Sequence, residues 1–350
     1  MRLEDCFRRI RPLDQEAALR CEQRWDSIAK PLKSLGKLEK AWIQIAGIQR
    51  TSQVHLNKKA LVIMCADNGV VEEGVTQTGQ EVTAVVAGNF LEGKSCAAMM
   101  CKDTGTDLYP IDIGMAVDIP RIRNRKIAYG TKNMAKEPAM TREEAIHVIE
   151  EGISITEELY EKGYDIIATG EMGIGNTTTS SAVASLLLQM PPEQVTGRGA
   201  GLSSEGLQHK IQVIKNAIAK HCPDDKDPID VLAKVGGFDI AGLTGVYLGG
   251  AALGIPVVVD GFISGVAALT AVRLCPEVQN YILVSHVSKE PASRMILDAL
   301  EKSPCLTCEM CLGEGTGAVA LFPLLEMGLH IYENMSTFSQ IQIEDYVPLE

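Results

Sequence analysis

The spacing of apolar residues changes character about fifty residues into the chain. Before that point apolar side chains recur at helical intervals, Ala18, Cys21, Trp25 and Ile28 and then Leu38, Trp42 and Ile45, with Pro31 and Gly36 between the two runs. This predicts two helices outside the main sheet. From Ala60 onward short apolar runs at 61–66, 108–113, 164–169, 256–259, 281–284 and 306–312 alternate with amphipathic stretches. Strands separated by helices mean βαβ units and a mostly parallel α/β sheet. Helices are predicted over 177–188 and 204–220. The uncharged stretch 240–259 approaches the length of a membrane span, but Gly242, Gly245, Gly249, Gly250, Gly254 and Pro256 make a helix followed by a buried strand the better reading. The more polar tail from Leu329 is expected to fold back on the N-terminal helices.

Nearly every apolar run ends in residues with chemistry. The endings are Asp67-Asn68-Gly69, Gly170-Glu171, Asp260-Gly261, Ser285-His286 and Gly313-Glu314-Gly315. In open α/β sheets ligands bind outside the carboxyl ends of the strands, so these endings should converge. The richest is Gly170-Glu171-Met172-Gly173-Ile174-Gly175-Asn176-Thr177-Thr178-Thr179, where a strand delivers a carboxylate into a glycine turn. There the glycines admit an anion to main-chain N–H groups, and the Asn/Thr cluster is expected to cap the following helix. Two further glycine loops follow, Gly197-Arg198-Gly199-Ala200-Gly201 and Gly313-Glu314-Gly315-Thr316-Gly317. None is a Walker loop. The last fits a degenerate dinucleotide fingerprint through Ala318 but lies too near the C-terminus to open such a fold, which leaves an NAD-dependent dehydrogenase weakly supported. Lys210 is placed to reach a phosphate held by the second loop, whereas His209 reads as a helix-face residue.

Charge and cysteine usage narrow the partners. With 33 basic against 45 acidic side chains the net charge is −12, which disfavours nucleic-acid binding. The basic run Arg121-Ile122-Arg123-Asn124-Arg125-Lys126 reads as a solvated loop. The charged start has no signal-peptide pattern, so a cytoplasmic protein with reduced thiols and no membrane association is expected. Of the 10 cysteines only Cys305, Cys308 and Cys311 have a ligand-like spacing, and without a fourth ligand or a following proline they read as structural, with no metal.

The motifs in order, from Asp67-Asn68-Gly69-Val70 and Gln80-Glu81-Val82-Thr83 through Gly170 to Thr178, Gly236-Gly237-Phe238-Asp239, Val259-Asp260-Gly261-Phe262 and Ser285-His286 to Leu312-Gly313-Glu314-Gly315-Thr316-Gly317, resemble the nicotinate-nucleotide:dimethylbenzimidazole phosphoribosyltransferase family over nearly the whole chain. The resemblance implies a Rossmann-like catalytic domain over 51–327 and a small helical domain from 1–50 and 328–350. It also implies a dimer, of identical or homologous subunits, whose partner helps close each site. The implied reaction transfers ribose 5-phosphate from nicotinate mononucleotide to a lower-ligand base of a cobamide, with inversion at the anomeric carbon and release of nicotinate.

Nicotinate leaves from a pyridinium and needs no general acid, while an azole acceptor must lose its N–H proton and needs a base. No cofactor is called for. By resemblance Glu314 is that base, and Glu171 is the anion beside the oxocarbenium-like sugar. Gly173, Ile174, Gly175, Asn176, Gly199, Ala200, Gly201, Lys210 and Asp260 would hold the phosphate and ribose, and Thr76, Gln80, Met172 and Leu312 the acceptor. At the acceptor segment this chain reads Thr76-Gln77-Thr78-Gly79-Gln80, without the aromatic and proline of many members. Dimethylbenzimidazole, purines and phenols therefore all stay open as acceptors. A non-catalytic partner of an active homologous subunit is the competing reading.

Overall fold

The computed structural model describes residues 1–346. Six strands, β1 (Lys59–Ala66), β2 (Thr106–Gly114), β3 (Arg123–Asn124), β4 (Ile166–Met172), β5 (Val257–Val259) and β6 (Ile282–Val284), form one sheet in the order β3-β2-β1-β4-β5-β6. Every pairing is parallel. β1 shows why its run is apolar without interruption: Ala60, Val62, Met64 and Ala66 enter one core, and Leu61, Ile63 and Cys65 the other. The sheet is thus covered on both faces. One face carries the helices Arg142–Glu161, Phe238–Leu253 and Phe262–Leu274; the other carries Glu81–Leu91, Cys96–Asp103 and Thr316–Asn334.

The uncharged stretch divides as expected into the helix Phe238–Leu253 and β5. Its glycines serve packing, since a Cβ at Gly245 would strike the Ile149 carbonyl and one at Gly152 the Gly242 carbonyl. The two helices therefore approach backbone to backbone. Among the described residues no helix is long and apolar enough to cross a membrane.

The chain ends meet. Gln15–Ser27 and Lys37–Gln49 pack with Thr316–Asn334 around Trp25, Trp42 and Tyr332, and an antiparallel bridge joins Ile28 to Thr337. Residue 328 lies inside Thr316–Asn334, and the N-terminal tryptophans share one core with Leu61 and Ile63. A third N-terminal helix, Leu3–Arg9, packs on the opposite face, where Cys6 Sγ donates to the Leu248 carbonyl at 3.4 Å.

Two sequence expectations fail here. The basic run is the edge strand β3 and its continuation, with Arg123 paired to Glu158 at 2.7 Å, Arg125 to Glu151 at 3.2 Å, and Lys126 to Asp112 at 3.2 Å. Three of its charges are spent on the neighbouring helix and strand while Arg121 stays exposed, so from Arg123 onward it is not a solvated loop. The stretch 306–312 forms no ladder strand; only Leu306 bridges His286, and the Lys289 N–H reaches the Met310 carbonyl at 3.1 Å.

Candidate active site

The strand order reverses direction between β1 and β4, and a crevice forms at such a switch point. A cavity of about 290 Å³ opens there, lined by Glu171, Met172, Gly173, Ile174, Asn176, Gly199, Ala200, Asp260, Leu312 and Glu314, with Val86, Thr177, His286 and Glu290 among the remaining walls. The endings of β4, β5 and β6 and the loop 313–317 therefore converge as the sequence predicts. Asp67 and Asn68 stand behind this wall: the Ala116 N–H donates to Asp67 Oδ2 at 2.7 Å, and Asn68 Nδ2 donates to the Ile174 carbonyl at 3.4 Å.

Glu171 ends β4 and is almost fully buried. Asn176 Nδ2 donates to it and also to Asp239 Oδ2, the latter at 2.9 Å. One amide thus joins two buried carboxyls. Burial, then the neighbouring Asp239 charge, push the Glu171 carboxyl up to about 8 despite the Asn176 hydrogen bond. Burial likewise raises Asp239 to about 6. This use of Asn176 corrects the capping expectation, because the helix Asn176–Leu187 starts from Gly175 at φ 92° with no side-chain cap.

Glu314 reaches the cavity from the opposite side. Gly313, Glu314 and Gly315 all have positive φ, 87°, 61° and 83°. For Glu314 that left-handed backbone costs about 1–3 kcal/mol and persists only where the surroundings impose it. Asp260 imposes it: its carboxylate accepts from the N–H groups of Gly317 at 2.7 Å, Ala318 at 3.1 Å and Gly315 at 3.2 Å. Both Asp260 oxygens are occupied by the loop, so the side chain anchors the backbone around Glu314 although it was expected to bind ribose. Space is tight enough to require glycine twice, since a Cβ at Gly170 would lie 2.7 Å from the Glu314 carbonyl and one at Gly313 would lie 2.5 Å from Glu171 Oε1. The backbone of the 313–315 turn therefore packs directly on the end of β4 and on the Glu171 carboxyl. The Ala97 N–H donates to Glu314 Oε2 at 3.3 Å, and burial raises the Glu314 carboxyl, with the Asp260 charge adding to the rise. His286, beside Asp260, is held neutral by burial against the pull of that carboxylate.

The phosphate cradle differs in detail from the sequence expectation. The N–H groups of Ile174, Asn176 and Gly201 already have acceptors, in Thr83 Oγ1 at 3.1 Å, the Gly173 carbonyl at 3.1 Å and the Arg198 carbonyl at 3.2 Å. No hydrogen bond among the described residues uses the N–H of Thr177 or Ala200. Both residues line the cavity, and the N–H of Gly173 in the same wall is likewise unused among the described residues. Lys210 lies beneath the second glycine loop, 1% exposed, with Nζ donating to Thr177 Oγ1 at 2.8 Å and the Gly197 carbonyl at 3.3 Å. Burial lowers its ammonium to about 8.

The acceptor residues divide. Met172 and Leu312 line the cavity, but Thr76 borders a smaller neighbouring pocket of about 80 Å³ together with Gly175 and Gly201, and its hydroxyl donates to the Thr78 carbonyl at 2.7 Å. Gln80 turns inward to the Asn68 carbonyl at 3.1 Å. Within this chain neither is brought to Glu314. The link between the two segments is made by Gln77, which donates to the Gly201 carbonyl. His209 lies outside the cavity against the Glu73 carbonyl. Cys308 and Cys311 are exposed and Cys305 is half-buried, and no metal-holding group of side chains is found among the described residues. Sequence reasoning missed Asp239, Glu290 and Val86 as site residues. Asp239 had a signal in Gly236-Gly237-Phe238-Asp239, a glycine pair entering a helix; Val86 had none.

A phosphoribosyltransferase family model matches residues 10–343. A nicotinate-nucleotide–dimethylbenzimidazole phosphoribosyltransferase of Ruminiclostridium cellulolyticum is 49% identical over 100% of both chains. One from Acetivibrio thermocellus is 51% identical over 93% of this chain and 94% of its own. Among solved structures, CobT from Thermus thermophilus superposes with a TM-score of 0.89 at 36% identity, covering 95% of this chain and 100% of that one. The shared architecture and the match along the full length make this chain a member of the nicotinate-nucleotide–dimethylbenzimidazole phosphoribosyltransferase family.

Proposed function

We propose that the protein transfers ribose 5-phosphate from nicotinate mononucleotide to a cobamide lower-ligand base, releasing nicotinate. The observation that carries this reading is the meeting of Glu171 and Glu314 in one cavity beside a glycine-rich anion cradle. Thr177, Ala200 and Lys210 hold the 5′-phosphate, fixing the sugar so that C1 faces the acceptor. As the bond to nicotinate breaks, C1 gains positive charge and Glu171 opposes it. A cation at this point favours the ionised form of a carboxyl that is mostly protonated in the free protein. Glu314 takes the acceptor N–H or O–H proton, and burial, by raising its carboxyl, makes it a stronger base for that step.

Two copies complete the site. Val85 and Met99 are exposed on the helices Glu81–Leu91 and Cys96–Asp103, the same segment that supplies Val86 to the cavity and Ala97 to Glu314. A partner covering these apolar residues would also close the cavity mouth. The ten free cysteines suit a reducing cytoplasm. Incubating the purified chain with nicotinate mononucleotide and, separately, dimethylbenzimidazole, adenine, phenol and p-cresol tests the reading. Nicotinate release with an α-riboside phosphate product is expected from at least one acceptor; a folded protein yielding none from any would refute transfer by this chain alone.

A further inference from the structure

One carboxylate in the cradle has no part in the reaction described above. Glu290, in Ser288-Lys289-Glu290-Pro291 beyond β6, lines the same cavity as Glu171 and Glu314. Its Oε2 is shut from solvent and has no hydrogen-bond partner. Gly197 lies against it so closely that a Cβ there would collide with the carboxylate. The Lys210 ammonium and the Gly199 N–H both favour its ionised form. Lys210, however, spends its hydrogen bonds on Thr177 and Gly197, and no ion pair joins it to Glu290 among the described residues. A half-buried carboxylate and a buried ammonium thus share the glycine loop without closing on each other.

We propose that Glu290 is a resident counter-anion of the phosphate cradle: it balances Lys210 in the free protein and weakens the hold on a 5′-phosphate, so that the phosphorylated product leaves. The inference rests on the phosphate position proposed above. Two like charges about 5 Å apart at an effective dielectric of about 20 repel enough to change a binding constant by about a hundredfold. Removing Glu290 also takes away a charge that supports the Lys210 ammonium, which burial holds at about 8, but a bound phosphate puts an anion back beside it and below about pH 8 the ammonium persists. Relief of repulsion therefore wins, and the sign of the effect is tighter binding.

The effect should fade in acid. Burial raises the Glu290 carboxyl, and the phosphate itself takes up a proton at about pH 6, so the repulsion weakens from both sides as pH falls. Lys210 faces it from the helix Ser204–His221, and Glu171, Asp260, His286 and Glu314 face it across the cavity. Arg198 is turned away to the Leu202 carbonyl and Ser204, and Lys289 is exposed. These groups are common to wild type and variants, and Lys210 is the one whose charge Glu290 supports.

The test measures binding of nicotinate mononucleotide, and of nicotinate riboside lacking the phosphate, to the full chain, E290Q and E290A at pH 7 and pH 5.5. Both variants keep the main-chain hydrogen bond from Ser293 to Glu290. At pH 7 both should bind the mononucleotide at least about tenfold more tightly than wild type, with the gap narrowing at pH 5.5 and the riboside unaffected. Unchanged or weaker mononucleotide binding at pH 7 in the folded variants, or an equal gain for the riboside, overturns the proposal. If wild type itself shows no preference for the mononucleotide over the riboside, the phosphate position falls and Glu290's role with it.

Discussion

The end of β4 and the loop 313–317 each deliver one carboxyl to the same cavity, and they hold it in opposite ways. Glu171 continues a central strand, with Asn176 bonded to it and to Asp239. Its surroundings are fixed by the sheet. Glu314 stands on a left-handed backbone, touched by a single 3.3 Å amide contact, and owes its place to the anchoring of the loop by Asp260 below. A group that opposes charge on the sugar profits from rigidity. A group that must receive a proton from acceptors of different shape profits from fewer bonds of its own.

The sharpest way to break this comparison is Glu171→Gln, which keeps the shape and the Asn176 contact but cannot ionise. Turnover should fall by about 10²–10³, the range seen when an electrostatic stabiliser is removed. Retained turnover would show that Glu171 works as a neutral carboxyl. Asp260→Asn comes next. It removes the charge to which three loop amides point, and kcat should drop about ten- to hundredfold with KM for the mononucleotide little changed.

This variant also has a pH signature. The Asp260 charge helps raise the Glu314 carboxyl, and Glu314 acts deprotonated, so its loss must move the acid limb of kcat to lower pH. An unmoved limb would leave Asp260 a merely structural role. The smallest effect is on stability: Glu314→Gly relieves the left-handed strain and should stabilise by about 1 kcal/mol, read as a rise in Tm, in a protein that no longer turns over. A lower Tm would mean that the loop is not strained at Glu314.

The same contrast marks what could be read from the sequence. β1, β4 and β5 were legible because apolar runs buried on both faces need no tertiary information, and the glycine after Glu171 announced the corner. β3 was hidden because two residues, Arg123 and Asn124, carry no apolar period and the Arg123 charge is matched only in three dimensions. The stretch 306–312 has a strand's composition but meets β6 at one bridge only. Residue types at the site were legible and their bonding was not. Asp260 at a strand end looks like a ligand until its oxygens are seen on backbone amides, and Asn176 looks like a cap until its side chain is followed to two carboxyls. Thr76 and Gln80 were chosen by resemblance, and the chain's own fold turns both away from Glu314.

The central claim is that Glu314 receives the acceptor's proton while the rest of the site binds the mononucleotide. Single-turnover nicotinate release by Glu314→Gln, with an acceptor that wild type uses and alongside the mononucleotide Kd, tests it most directly. The account predicts a rate lowered by at least about a hundredfold with Kd unchanged. Release at the wild-type rate, or a loss explained wholly by weaker mononucleotide binding, would contradict it.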